Sequence, residues 1–213
     1  MRLLTAIQER LSSIYALEPR LELSDFVARR SEVPGAPLDR PEQLLVRESD
    51  GELELLLVLE DQLVDGTSAK AANLDTFCVC AEGVSHLLYV ARAAREDASV
   101  SQLELEVQAE VDKFALLLLH ARGGLTTSPR GVAGLIGRLF GAFELRRSVV
   151  DPEEQTRYAE ANRLASAYCR WLAAQFVVTA RLEAMIGELR RLYRLRGAGK
   201  LAYLSGYRRE AGR

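Results

Sequence analysis

The chain is 213 residues long, 48% apolar and 27% charged, with a net charge of −2. That balance suits a globular protein able to bury a core without disulfide or metal staples, and excludes wholesale disorder. Cys78, Cys80 and Cys169 are an odd set without framework spacing, so they read as buried thiols, and two histidines are too few for a structural zinc site.

Residues 2–17 place Leu3, Leu4, Ile7, Leu11, Ile14 and Tyr15 at helical spacing, and Pro19 ends that helix. The opening MRLLTAIQER meets Gln8 and Glu9 too early for a signal-peptide apolar segment. No run of 18 apolar residues offers a membrane span, so the expected location is the cytoplasm. A short helix is expected from Ser24 to Arg30, followed by a loop through Pro34, Gly35, Pro37 and Pro41.

The run LLVRESDGELELLLVLE holds two strand-like stretches, 43–48 and 52–59, around Asp50-Gly51. Asp-Gly favours the positive φ angles of a tight hairpin turn. Asp61–Ala72 reads as loop, and FCVC at 77–80 reads as a third strand, since a two-stranded hairpin alone is marginal in water.

Beyond that point the periodicity is helical. Residues 83–96 carry Val84, Leu87, Leu88, Ala91 and Ala94 on one face. Ser101 and Glu104 form a capping box that opens a helix running to about Ala121, and the short link between the two helices implies an antiparallel hairpin. Residues 130–147 are apolar but interrupted by Gly131, Gly134, Gly137 and Gly141; each interior glycine costs about 1 kcal/mol relative to alanine. That segment is expected either to pack closely or to stay mobile. Its flanking Arg130, Arg138, Arg146 and Arg147 also allow a membrane-surface alternative, the less favoured one.

Asp151-Pro152-Glu153-Glu154 is a helix start, and an apolar repeat from Tyr158 to Tyr193 follows without a proline. Unbroken, this helix would span about 65 Å at about 1.5 Å per residue. One small core does not cover that length, so a break near Thr179 or Gly187, or a partner helix, is expected.

The fold class read from these elements is α+β, mostly α. A small antiparallel sheet (hairpin 43–59, third strand 76–80) packs on a helical hairpin and precedes a long C-terminal helical region. The chain divides into a core at 1–122, a glycine-rich segment at 123–150, and a long helix with a basic tail at 151–213.

Two features could carry function. Glu82 and His86 are four apart and share a helix side, and an antiparallel pairing of the two helices brings them toward Glu106 and Glu110. Inward carboxylates with a histidine on facing helices suit a divalent metal or acid–base chemistry, centred on Glu82, His86 and Glu110. A histidine hydrogen-bonded to a neighbouring carboxylate, simply orienting two helices, is the plainer expectation, and no cofactor is expected. The phosphate-loop pattern fails, because Arg194 stands where the first glycine belongs and Leu201 replaces the Ser or Thr.

The second feature is cationic. From Arg181 to Arg213 nine basic residues face three acidic ones, a net of +6, which leaves the preceding 180 residues at −8. Arg190, Arg191, Arg194, Arg196, Lys200, Arg208 and Arg209 are interleaved with Tyr193, Tyr203 and Tyr207. Such a stretch suits an acidic protein partner, or nucleic acid through phosphate contact and base stacking. The favoured function is therefore a non-catalytic cytoplasmic interaction protein that self-associates through helices, most simply as a dimer, and docks a partner through its basic C-terminus. The alternatives are the small enzyme and the nucleic-acid accessory protein.

Overall fold

The computed structural model describes residues 1–18, 21–37, 40–65, 73–120, 128–141 and 151–207. The chain forms two compact units, Met1–Ser13 with Leu17–Ser99, and Ile14–Ala16 with Val100–Arg213. The fold is α+β and largely helical, with one small mixed sheet among the described residues.

In the first unit α1 (Arg2–Tyr15) buries Leu3, Leu4, Ile7 and Leu11 as its spacing requires. The sheet is ordered β1–β3–β2, from Val27–Arg29, Glu52–Leu59 and Glu42–Ser49. The hairpin forms as expected. Asp50 and Gly51 both take positive φ (53° and 81°), and the register pairs Val46 with Leu55 and Ser49 with Glu52.

The third strand is not residues 76–80. Those belong to α3 (Leu74–Arg95), whose first turn is capped by the Asn73 side chain accepting from the Thr76 amide at 2.8 Å. Every residue from Val79 to Tyr89 is buried, so this helix carries no amphipathic period, and a short apolar piece of it mimics a strand. The third strand is Val27–Arg29, parallel to β3, within the segment expected as a helix from Ser24 to Arg30. Single helical turns at Leu23–Asp25 and Arg30–Glu32 flank it. The Phe26 carbonyl then accepts from the Leu57 amide at 2.7 Å, and the sheet edge overrides the local preference. Asp61–Asp65 forms a short helix, α2, in the stretch expected to be loop; residues 66–72 of that stretch lie outside the described residues.

Helix α3 lies on β2 and β3. Gly83 marks the closest approach: a Cβ there would stand 2.8 Å from Leu57 Cδ1. Of the described helices α3 alone is long and apolar enough to cross a membrane, but 72% of that window is buried inside the protein, as in a core helix.

The second unit is helical. In α4 (Gln102–His120) the capping box is present, with the Glu104 amide donating to Ser101 Oγ at 3.3 Å and the Ser101 amide donating to Glu104 Oε2 at 3.0 Å. The main partner of α4 is α6 (Pro152–Leu172), which begins at the Asp151 cap and Pro152 as its sequence requires. The two helices expected to face each other thus find their principal partners within their own units, α3 on the sheet and α4 on α6.

Pro129–Ile136 forms α5 and continues as a widened turn to Gly141; residues 121–127 and 142–150 of the glycine-rich segment lie outside the described residues. Val132, Leu135, Ile136 and Phe140 supply its buried side. A Cβ added at Gly134, Gly137 or Gly141 would meet nothing within 4 Å, so these glycines do not serve close packing against the described residues.

The long helix breaks where its length demanded. After Leu172 the helix widens over Ala173–Val177, Ala180 takes φ 55°, and the Arg181 amide donates to the Phe176 carbonyl at 2.7 Å. Next come α7 (Leu182–Arg194) and α8 (Gly197–Gly206), the latter packed on α4 and α6. The repeat from Tyr158 to Tyr193 therefore folds back on its own unit.

Candidate functional site

The second unit contains two polar constellations, one sealed and one open. The sealed one begins with Glu104, Gln108 and Asp112, four residues apart along α4 and each 1% exposed or less. Lys200 of α8, fully buried, donates to Gln108 Oε1 at 2.5 Å. Gln108 Nε2 donates to Asp112 Oδ1 at 2.7 Å and to the Tyr15 hydroxyl at 3.1 Å, and Tyr15 donates to Asp112. The Gly197 amide at the start of α8 donates to Glu104 Oε1 at 2.7 Å. Tyr15 stacks on Tyr193 with ring centroids 4.0 Å apart.

Burial, followed by the adjoining Asp112 charge, pushes the Tyr15 hydroxyl well above its usual range. Burial also opposes the Glu104 carboxylate, but the hydrogen bonds from Ser101 and Gly197, with the Lys200 charge, outweigh it and hold its pKa below the ordinary value. Buried polar side chains with mutual partners hold helices in a fixed arrangement. Lys200 was expected as a surface contact and is instead the centre of this lock.

The remaining sequence candidates divide between the units. Glu82 and His86 stand one turn apart on α3 in the first, both buried, and Glu106 and Glu110 lie on α4 in the second. Among the described residues no three His, Cys, Asp or Glu side chains form a group able to hold a metal ion. The expected metal set of Glu82, His86, Glu106 and Glu110 thus draws two residues from each unit. Within the units α3 packs on the sheet and α4 on α6, and the Glu110 carboxylate is engaged by Lys113 at 2.7 Å. Burial raises the Cys80 thiol to about 11 and pushes the Cys169 thiol well above its usual range, so neither is a ready nucleophile.

The basic C-terminal stretch splits similarly. Arg190 is half-buried and donates from Nε to the Ile14 carbonyl at 2.7 Å, and Arg196 donates to the Tyr193 carbonyl at 3.4 Å. Arg191 and Arg194 face solvent, the Arg191 side chain being 66% exposed. Arg208 and Arg209 lie outside the described residues.

The open constellation surrounds Arg191. Its guanidinium lies 4.9 Å from the centre of the Tyr203 ring. Tyr203 meets Tyr207 at 5.3 Å, Tyr207 meets Trp171 at 4.4 Å, and Trp171 meets Phe176 at 5.5 Å, beneath the Arg181 guanidinium at 5.4 Å. Glu188 anchors the cluster from below, accepting from both the Tyr168 and Tyr203 hydroxyls. Trp171, Phe176, Tyr203 and Tyr207 are half-buried; Arg170, Arg181 and Val178 are exposed. Trp171 lies outside the basic C-terminal stretch that the sequence singles out. The available signal was its place beside Arg170, one position off the apolar stripe, as the chain's only tryptophan.

Compared with known family models, curated proteins and solved structures, the chain matches none.

Proposed function

We propose that this chain is a non-catalytic interaction protein whose docking face is the aromatic–arginine surface of its second unit, and that it takes an acidic protein partner. One observation carries the reading: a continuous chain of half-buried rings, Phe176–Trp171–Tyr207–Tyr203, with Arg181 and Arg191 stacked at its two ends. Trp, Tyr and Arg are the residue types that dominate binding energy at protein interfaces, and fixed rings lose little conformational entropy on docking. The buried thiols of Cys80 and Cys169, outside any disulfide, support a reducing, cytoplasmic setting.

Acidic protein is favoured over nucleic acid on charge. Among the described residues from Arg181 onward Lys200 is buried and Arg190 and Arg196 are half-buried, leaving Arg181, Arg191 and Arg194 outward, in a chain of net −2. That footprint is small for phosphate-backbone binding. Anisotropy of a labelled glutamate- and leucine-bearing peptide tests the reading. Expected is binding that weakens with salt and is lost in Arg181→Glu/Arg191→Glu. Preferential binding of a single-stranded oligonucleotide, or salt-independent behaviour, would contradict it.

A further inference from the structure

The first unit carries a second patch, with complementary character. Among the described residues the exposed large apolar side chains are Val46 (52%), Leu53 (37%) and Val178 (54%). Val178 lies two residues along the chain from Phe176, which ends the ring series. Val46 and Leu53 lie on the outer half of the β2–β3 hairpin, and the register puts them on one sheet face with Leu55. Toward the strand ends that face is covered by α3; toward the turn it is not.

The same tip is acidic. Glu48, Asp50, Glu52 and Glu54 stand against Arg47 alone, and Arg47 is paired with Glu54 across the strands. Its backbone is also open: β1 pairs only with Leu57–Leu59 of β3, so the Glu52–Leu56 edge has no strand beside it among the described residues. Long exposed edges with apolar side chains are normally blunted in stable monomers.

We infer that the acidic hairpin tip of one copy of this chain docks on the aromatic–arginine surface of a second copy. The inference rests on the function proposed above and names its partner. Among the described residues the large exposed apolar side chains are Val46 and Leu53 at the tip and Val178 just beyond Phe176, and the charges at the two patches are opposite, Glu48, Asp50 and Glu52 against Arg181 and Arg191. Apolar contact between Val46, Leu53 and the Trp171–Phe176–Val178 region provides affinity, and the flanking charges set orientation. Exchange in both directions closes a two-fold dimer, and a one-way contact propagates from copy to copy.

Sedimentation velocity of the full chain over a wide concentration range provides the test. The substituted residues are all exposed, and circular dichroism verifies folding. Wild type self-associates, more weakly as salt rises. Arg181→Glu/Arg191→Glu and Glu48→Arg/Glu52→Arg each weaken association roughly tenfold or more. Mixing the two variants restores it, because each then offers the surface the other has lost. Leu53→Ser weakens association without altering the second unit. A wild type that stays monomeric, or a mixture that fails to recover, overturns the inference. If that monomer still binds the acidic peptide, the proposed function stands without this partner; if it binds neither, both fall.

Discussion

Replacing Tyr15 by Phe removes a single oxygen from the sealed lock and is expected to destabilise the second unit by about 2 kcal/mol. That oxygen donates to the Asp112 carboxylate and accepts from Gln108 Nε2 at 3.1 Å. A buried hydrogen bond to a charged group contributes about 1.5–3 kcal/mol. The loss stays in the lower half of that range for two reasons. Gln108 Nε2 loses one of its two acceptors but keeps Asp112 Oδ1 at 2.7 Å, and the ring retains its stack on Tyr193 at 4.0 Å. Urea unfolding followed by Trp171 emission reads the change as a lower midpoint with an unchanged slope. Asp112→Asn in the Tyr15→Phe background completes a double-mutant cycle, and the coupling should exceed about 0.5 kcal/mol. A Tyr15→Phe change below about 0.5 kcal/mol, the usual scatter of surface substitutions, would refute the assignment of Tyr15 to the lock.

Lys200→Met keeps the alkyl stem, removes the charge and leaves Gln108 Oε1 without its donor; about 3 kcal/mol of stability should be lost by thermal or urea unfolding. Glu104 makes stability pH-dependent. Because its folded pKa is depressed, its contribution is present above the unfolded value of about 4.3 and lost as pH falls through the folded one, so Glu104→Gln should flatten the acid limb of a stability–pH profile. Ala180 holds φ at 55° in the turn that ends the long helix, and Ala180→Gly should raise stability by about 0.5–1 kcal/mol, seen as a higher melting temperature.

The legible parts of the fold were those with a local cause. Asp50-Gly51 demanded a hairpin, Ser101 and Glu104 a helix start, and the excessive length of the Tyr158–Tyr193 repeat a break, which falls at 178–180. What escaped depends on distant partners. Val27–Arg29 is a strand because β3 is there to receive it, and residues 76–80 are helical because α3 is buried on every side. The Glu82–His86–Glu110 cluster required a particular pairing of helices, which periodicity cannot supply. The lock was half visible. Glu104, Gln108 and Asp112 recur at four-residue spacing, but their partners Tyr15 and Lys200 lie 97 and 92 residues from theirs in sequence. Basic residues looked alike in the sequence; burial sorted Lys200 into the core and Arg191 onto the surface.

Trp171 is the chain's only tryptophan and stands in the middle of the proposed docking face. Its emission, with acrylamide quenching, should shift to shorter wavelength and become protected when the acidic peptide is added or protein concentration rises. In Arg181→Glu/Arg191→Glu both changes should vanish. Unaltered Trp171 emission under conditions where binding is independently detected would place the contact elsewhere and contradict the account.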